Sequence, residues 1–272
     1  MKASLRSLLA LSLAGGALLS GCGGDDDNTP AQQDTTPRVD LRLMETTDIH
    51  ANVMDYNYYS DSVDNGHGLV RTAMLVKQAR AEITHPENSA LVDNGDLIQG
   101  SPMGDWRQAQ GLTSGEVHPV YKVMNEMAYD VGNYGNHEFN YGLDFLAESV
   151  DDAAFPYISA NVFSADGSTP YFDQYKLITK TVYDRNGNPH ELTLGFIGFL
   201  PPQIMQWDKK NLDGKVTAKD IKATAELLVP QMKAEGADII VAIPHSGINT
   251  TAYSEEAKAE NSSWYLADVD GI

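Results

Sequence analysis

The chain has 272 residues, with 38 Asp+Glu against 19 Lys+Arg, 42% apolar residues and a single Cys. That length suits one large domain or two small ones, and the apolar fraction is enough for a buried core, which excludes a disordered chain. One Cys excludes a disulfide framework and any Cys-rich zinc module, so a metal would need oxygen and imidazole ligands. A net charge of −19 argues against phosphate-backbone binding by a basic surface, so no nucleic-acid polymer is expected as a partner. A phosphate-bearing substrate would have to be attracted by something other than Lys and Arg.

Residues 1–21 read as a secretory signal: Lys2 and Arg6 form a basic start, Leu8 to Leu19 is apolar with small residues, and Leu19-Ser20-Gly21-Cys22 follows. The stretch is too short to be a spanning helix. Leu-Ser-Gly-Cys resembles the bacterial lipoprotein cleavage box, in which the Cys bears the lipid. An ordinary signal peptide with a chance Cys is the plainer alternative, but the chain's single Cys falls at this position, which favours Cys22 as a lipid anchor. The protein is therefore expected beyond the inner membrane, in the periplasm or as a cell-envelope lipoprotein, touching membrane only through that anchor. Residues 22–39, with Gly, Asp, Thr, Gln and Pro and no large apolar residue from Gly23 to Arg38, read as a solvated tether. Asp25 to Asp27 are a solvated charge run there rather than a cation site.

From residue 40 to 272 short apolar runs alternate with helical patterns, the signature of a layered α/β domain. Leu41 to Thr46 has partial period-2 alternation and leads into Asp48, and 68–83 has helical spacing. Ala90-Leu91-Val92 is a short buried strand ending in Asp93-Asn94-Gly95-Asp96. Pro119 suits a first helical turn, continued by Tyr121, Met124 and Met127. Residues 156–161 read as a strand, and 175–183 and 191–199 as a hairpin with Asn186-Gly187 at its tip. Residues 217–235 read as a helix that Pro230 kinks or ends. Residues 237–243 are a core strand running into Pro244-His245-Ser246-Gly247.

Polar residues cluster after the strand-like runs: Asp48-x-His50, Asn94-Gly95-Asp96, Gly135-Asn136-His137-Glu138 and His245-Ser246-Gly247. Loops beyond the carboxyl ends of strands converge on the ligand crevice in open α/β sheets, so four separate segments should meet there. Asp48 and His50, two apart at a strand end, would point to the same side and share one ion. Asp96 can give one carboxylate oxygen to each of two ions, with Gly95 allowing a tight turn beneath. Asn136 offers a carbonyl oxygen and His245 a ring nitrogen, a donor set suited to Zn, Mn, Fe or Ca-like sites. His137 would point a titratable group into the pocket. Each segment alone is weak: an Asp-x-His is usually a surface pair, a Gly-Asp a loop, a lone His a satisfied polar group. For Glu45, Asp93, Asn94 and Glu138 a purely structural role is the preferred reading. The four segments in this order, each at a strand end, are harder to dismiss.

Taken together the set resembles the calcineurin-like metallophosphoesterases, in the branch of 5′-nucleotidases and 2′,3′-cyclic-nucleotide 2′-phosphodiesterase/3′-nucleotidases. The resemblance runs from about Leu41 to the last residue. METTDIHANVMDYNYY (44–59), VDNGDLIQGSP (92–102), HPVYKVMN (118–125), GNHEFNYGLD (135–144) and PPQIMQWDKKNL (201–212) look closer to the cyclic-nucleotide branch. Where 5′-nucleotidases usually carry an Asp that pairs with the catalytic His, Asn140 stands here.

The resemblance implies an α/β-β-α metallophosphoesterase domain binding two divalent ions (Zn, Mn, Co or similar) through Asp48, His50, Asp96, Asn136 and His245. His137, with Asn140 beside it, would act on the substrate. The family completes its metal site with a Gly-His-x-His or Gly-His-x-Gln segment after a strand that would begin at Asp270-Gly271-Ile272. The catalytic domain is therefore expected to be incomplete at the C-terminus, with the C-terminal nucleotide-binding domain absent. The implied activity is hydrolysis of 2′,3′-cyclic nucleotides to 3′-nucleotides, and of those to nucleosides plus phosphate, by a monomer acting on small-molecule nucleotides. A 5′-nucleotidase of the same fold, and a non-catalytic metal- or nucleotide-binding lipoprotein, stay open beside it.

Overall fold

In the computed structural model residues 36–112 and 116–272 are described; the signal segment, Cys22 and residues 22–35 of the tether lie outside the described residues. Strand β1 (Arg42–Thr46) alternates half-buried and exposed positions, as its partial period-2 pattern predicts. Two-residue strands β2 (Tyr56–Asn57) and β3 (Ser62–Val63) pair as a small hairpin in the loop that follows. Helix α1 (Leu69–Ala81) fills the expected span, and β4 (Ser89–Asp93) is buried at every position. Helix α2 (Pro102–Gln110) was not signalled by apolar spacing, because most of its residues are polar. Its start is nonetheless written in Ser101, which caps the Gly104 N–H, and in Pro102 in the first turn.

Helix α3 (Pro119–Met127), strand β5 (Val131–Asn133), helix α4 (Leu143–Val150) and strands β6 (Tyr157–Ile158) and β7 (Val162–Ser164) continue the alternation. The long strands β8 (Tyr175–Tyr183) and β9 (Pro189–Phe199) follow, then short helices α5 (Ile204–Trp207) and α6 (Lys209–Leu212). Strand β10 (Val216–Ala218), helix α7 (Ile221–Ala234), strand β11 (Ile239–Pro244) and helix α8 (Ser263–Leu266) complete the unit Pro37–Ile272.

Two sheets stand face to face. One is all parallel in the order β1-β4-β5-β6; the other runs β11-β9-β8, with β11 parallel and β8 antiparallel to β9. Ala90, Val92, Val131 and Ile158 of the first meet Leu194, Phe196 and Ile243 of the second, which is why β4 needs no polar face. On the outer side of the first sheet Leu91 packs with Val76, Val120, Tyr121, Met124 and Leu146. Outside the second, Ile197 and Phe199 pack with Ile221, Ala225, Val229 and Met232 of α7. Helices therefore cover both outer faces, and the expected layered α/β-β-α fold is present. Each fully buried Leu, Ile or Phe in these layers contributes about 1.5–3 kcal/mol.

The structure corrects three local expectations. The helix expected from Thr217 starts at Ile221, because residues 216–218 pair with β7 as β10 and Asp220 then caps the Ala223 N–H at 2.9 Å. Pro230 does not end α7; it is exposed, as is Glu226 four residues back, so water can satisfy the carbonyl that loses its partner. The strand expected over 156–161 stops at Ile158, since Ser159 N–H turns away to Asp173 O and Ala160 N–H to Gly198 O.

One side chain bolts the two sheets together at their carboxyl ends. The Asn133 amide donates to Phe199 O at 2.8 Å, Ile243 O at 3.0 Å and Asn94 Oδ1 at 3.1 Å, tying β5, β9, β11 and the loop after β4. Gly198 lets it in: a Cβ there would overlap the Asn133 side chain. No helix among the described residues is long and apolar enough to cross a membrane.

Wholly buried His118 caps α3 through Nδ1, which accepts from Val120 N–H at 3.3 Å. Burial, aided by the Arg107 charge, pulls its pKa from 6.5 down to about 4. The unfolded chain therefore takes up this proton first as pH falls, so stability is lost between about 6.5 and 4, by about 3 kcal/mol in all. His118→Asn keeps a capping oxygen without a titrating ring. Its urea midpoint is expected to fall less than the native one between pH 7 and 4.5, and equal falls would contradict this account.

Candidate metal centre

Two loop crossings build the site. After β1, the N–H groups of Asp48, His50 and Ala51 donate to the carbonyls of Gly95, Asp96 and Leu97 at 3.0, 2.9 and 2.7 Å, so the loops following β1 and β4 are zipped together. The loop following β5 presses on the second of them. A Cβ on Gly95, whose φ is 90°, would overlap the Gly135 nitrogen, and one on Gly135 would overlap the Asp96 carboxylate. Only paired glycines allow Asp96 and Asn136 this close.

Asp48, His50, Ala51 and Asp96 all have left-handed backbones, φ 53°, 48°, 53° and 59°. Such non-glycine conformations cost about 1–3 kcal/mol each and cluster where surrounding structure enforces them, commonly at functional sites. This corrects the expectation that Asp48 and His50 meet by strand alternation. Strand β1 ends at Thr46, and the left-handed turn brings His50 Nε2 to 3.8 Å from Asp48 Oδ1.

Asp96 is the hub, only 3% exposed. Its Oδ1 accepts from His137 N–H at 2.8 Å, while Oδ2 faces three imidazole Nε2 atoms: His245 at 3.1 Å, His50 at 4.0 Å and His137 at 4.0 Å. The ligand atoms of Asp48, His50 and Asp96 lie within 4.8 Å of one another. Asn136 lines the same cleft as Asp48 and His245, a cavity of about 260 Å3 with Pro201 and half-exposed Trp207 at its wall. All five residues read as metal ligands in the sequence thus reach one place, with Asp48, His50 and His245 approaching Asp96 through their side chains and Asn136 lining the cleft beside them.

The histidines are pre-set as ligands. His50 Nδ1–H donates to Gln99 O at 2.7 Å and His245 Nδ1–H to Asn94 O at 2.6 Å, which leaves each Nε2 aimed at Asp96. A backbone carbonyl holding the far ring nitrogen is the usual support of a metal-bound imidazole, so the residues fit a divalent ion on either side of Asp96. Burial lowers the His245 pKa, but the hydrogen bond and charge of Asp96 outweigh it and bring it to about 9. Burial would raise Asp96, yet the contact with His245 holds its pKa below the usual carboxylate value. An ion bound between them must displace that proton.

The residues assigned structural roles in the sequence behave as supports. Buried Glu138 accepts the N–H groups of Asp96, Leu97 and Gly135 at 2.7, 2.5 and 2.6 Å, locking the two glycine loops to each other. Burial, then the Asp96 charge, pushes its pKa up. Asp93 holds Thr46 Oγ1 at 2.6 Å and Gly95 N–H at 3.1 Å, its pKa pushed up to about 8 by burial. Asn94 reaches Pro244 O at 3.1 Å, and Glu45 is exposed.

His137 is oriented differently from the other two. Its Nδ1–H donates to Asn140 Oδ1 at 2.7 Å, and the Asn140 amide donates to both oxygens of Asp208, at 3.0 and 3.2 Å. Asn133 and Asp208 carry weight at this site that the sequence reading did not assign. Asn133 ends a strand of three residues, and Asp208 lies 68 positions from its partner, so neither carries a local signal.

Comparison with known proteins bears on the fold and the family. The calcineurin-like phosphoesterase family profile matches residues 41–270. The chain is 55% identical over 234 residues to a 2′,3′-cyclic-nucleotide 2′-phosphodiesterase/3′-nucleotidase of Yersinia enterocolitica, covering 86% of this chain and 35% of that protein. It is 29% identical over 252 residues to a 5′-nucleotidase of Vibrio vulnificus, covering 91% of this chain and 40% of that one. The chain therefore spans well under half the length of either relative. The crystal structure of the calcineurin-like phosphoesterase YfkN from Bacillus subtilis superimposes with a TM-score of 0.81 at 47% identity, covering 87% of this chain and 70% of that one. With residues 41–270 matched and the layered fold shared, this chain belongs to the calcineurin-like phosphoesterase family.

Proposed function

We propose that this chain carries the hydrolytic centre of a metal-dependent phosphoesterase that opens 2′,3′-cyclic nucleotides to 3′-nucleotides and removes phosphate from the latter. The observation that carries the reading is the hub: one buried carboxylate oxygen faced by three imidazole Nε2 atoms from three separate segments. Asp48, His50 and Asp96 would hold one divalent ion, and Asp96, Asn136 and His245 the other, with Zn, Mn or Co suited to these oxygen and imidazole donors. Such a pair supplies Lewis acidity, neutralising phosphate oxygens and acidifying water.

That charge compensates for a protein of net charge −19, whose overall field repels an anionic substrate. His137 Nε2 lies 4.0 Å from Asp96 Oδ2 with Nδ1–H held by Asn140; a proton taken up on Nε2 would pass to the departing ribose oxygen and leave the ring in its Nδ1–H form, a step worth about 10²–10⁴-fold. The much higher identity to the cyclic-nucleotide relative than to the 5′-nucleotidase supports the substrate choice.

With its metal site complete, loaded with Mn²⁺ or Zn²⁺ and offered 2′,3′-cyclic AMP, 3′-AMP, 5′-AMP and bis-p-nitrophenyl phosphate, the enzyme is expected to hydrolyse all but 5′-AMP. Cleavage of 5′-AMP alone would replace this substrate assignment. Tight metal binding with no turnover of any ester would favour a binding protein.

A further inference from the structure

Asp208 joins α5 to α6 and is only 7% exposed, and the hydrogen bonds its carboxylate makes run to Asn140. A carboxylate accepts and does not donate, so the NH2 side of the Asn140 amide must face Asp208. The amide oxygen is then turned towards His137, 2.7 Å from Nδ1, and an oxygen there demands a proton on Nδ1. Nε2 is left without that proton, 4.0 Å from Asp96 Oδ2. Without Asp208 the amide has no reason to prefer this orientation, because its two ends have nearly the same shape.

The neighbouring Asn211 adds a second clasp, donating to Phe139 O at 2.8 Å and Asn140 O at 3.0 Å. The α5–α6 segment therefore grips the turn that carries His137.

We propose that Asp208 is a positioning residue which, through the Asn140 amide, selects the Nδ1–H form of His137 and so aims Nε2 at the reacting phosphate. The catalytic consequence rests on the phosphoesterase reading above; the selection of the ring form does not. An Asn standing next to the histidine acts here as a polarity-defined spacer between ring and carboxylate, and the logic is that of a base oriented by a third group.

The hydrogen-bond chain can be rebuilt with its polarity moved by one residue. In Asn140→Asp/Asp208→Asn a carboxylate at 140 accepts from His137 Nδ1–H and from the amide at 208. In Asn140→Asp alone, two carboxylates face each other across about 3 Å and repel.

The test reads the His137 ring by 15N NMR in the metal-free protein at a pH where the ring is neutral, and kcat, KM and metal content on bis-p-nitrophenyl phosphate. In the native protein the ring is expected in the Nδ1–H form. Asp208→Ala should shift it towards the Nε2–H form that a free histidine side chain favours. The same variant should lose about 10–100-fold in kcat, with KM and metal content held. Asn140→Asp should also lose turnover. Adding Asp208→Asn to it should restore both kcat and the Nδ1–H signal, a reversal that a merely structural role for Asp208 would not produce.

An unchanged ring signal in Asp208→Ala, or losses that multiply in the double variant, would overturn the proposal. A ring signal that follows the scheme in a protein that binds metal yet turns over no ester supports the positioning role and overturns the phosphoesterase reading instead.

Discussion

Replacing Asp96 by Asn is expected to cost both metal binding and turnover, each by at least about 100-fold, while leaving the fold intact. The substitution keeps an oxygen for the His137 N–H, so the loop after β5 stays in register, but it removes the charge that three Nε2 atoms converge on. Because Asp96 is the residue both proposed ion sites share, its loss should empty both. His137→Ala offers the contrast. The His137 backbone N–H that braces Asp96 survives, so metal content should stay near native while kcat falls about 10²–10⁴-fold. Elemental analysis of the purified variants beside ester turnover checks the pair. Equal metal loss in both would contradict the separation between residues that hold ions and the residue that handles the proton.

The second large effect is expected far from any substrate atom. Glu138→Ala removes the acceptor for four N–H groups, those of Asp96, Leu97, Ile98 and Gly135, in a place where Glu138 itself is fully buried. Orphaning a buried donor costs about 1–3 kcal/mol, so leaving all four unpaired would cost on the order of 4–12 kcal/mol. A domain of this kind is stable by only about 5–15 kcal/mol. Glu138→Gln should recover only part of the loss, since its NH2 group would be forced against one of the same donors. Urea unfolding followed by tryptophan fluorescence measures this directly. A loss under about 1 kcal/mol in the Ala variant would mean that water replaces the carboxylate and that the glycine loops do not depend on it.

Residue types and their order were legible in the chain itself. Buried β4 could be read from Ala90-Leu91-Val92, the hairpin tip from Asn186-Gly187, and the start of α3 from Pro119. Each of these is local chemistry: apolar content, a turn dipeptide, a pre-set φ. Asp48, His50, Asp96, Asn136 and His245 could be picked out for a related reason. Oxygen and imidazole donors placed just after strand-like runs are legible as a pattern even when the path between them is unknown.

How those residues meet was decided only in three dimensions. The pairing of Asp48 with His50 depends on left-handed turns that no strand alternation foretells, held by hydrogen bonds to a loop more than forty residues on. Strand β10 displaced the first turn of an expected helix because residues 162–164 offered a partner that propensity cannot see. Glu138, read as structural, proved to be the brace of the whole site, and Asp208, not singled out at all, reaches His137 through Asn140. Composition and spacing determine which chemistry a chain can hold; which carboxylate becomes hub, brace or anchor depends on burial and on the N–H groups that tertiary contacts deliver to it.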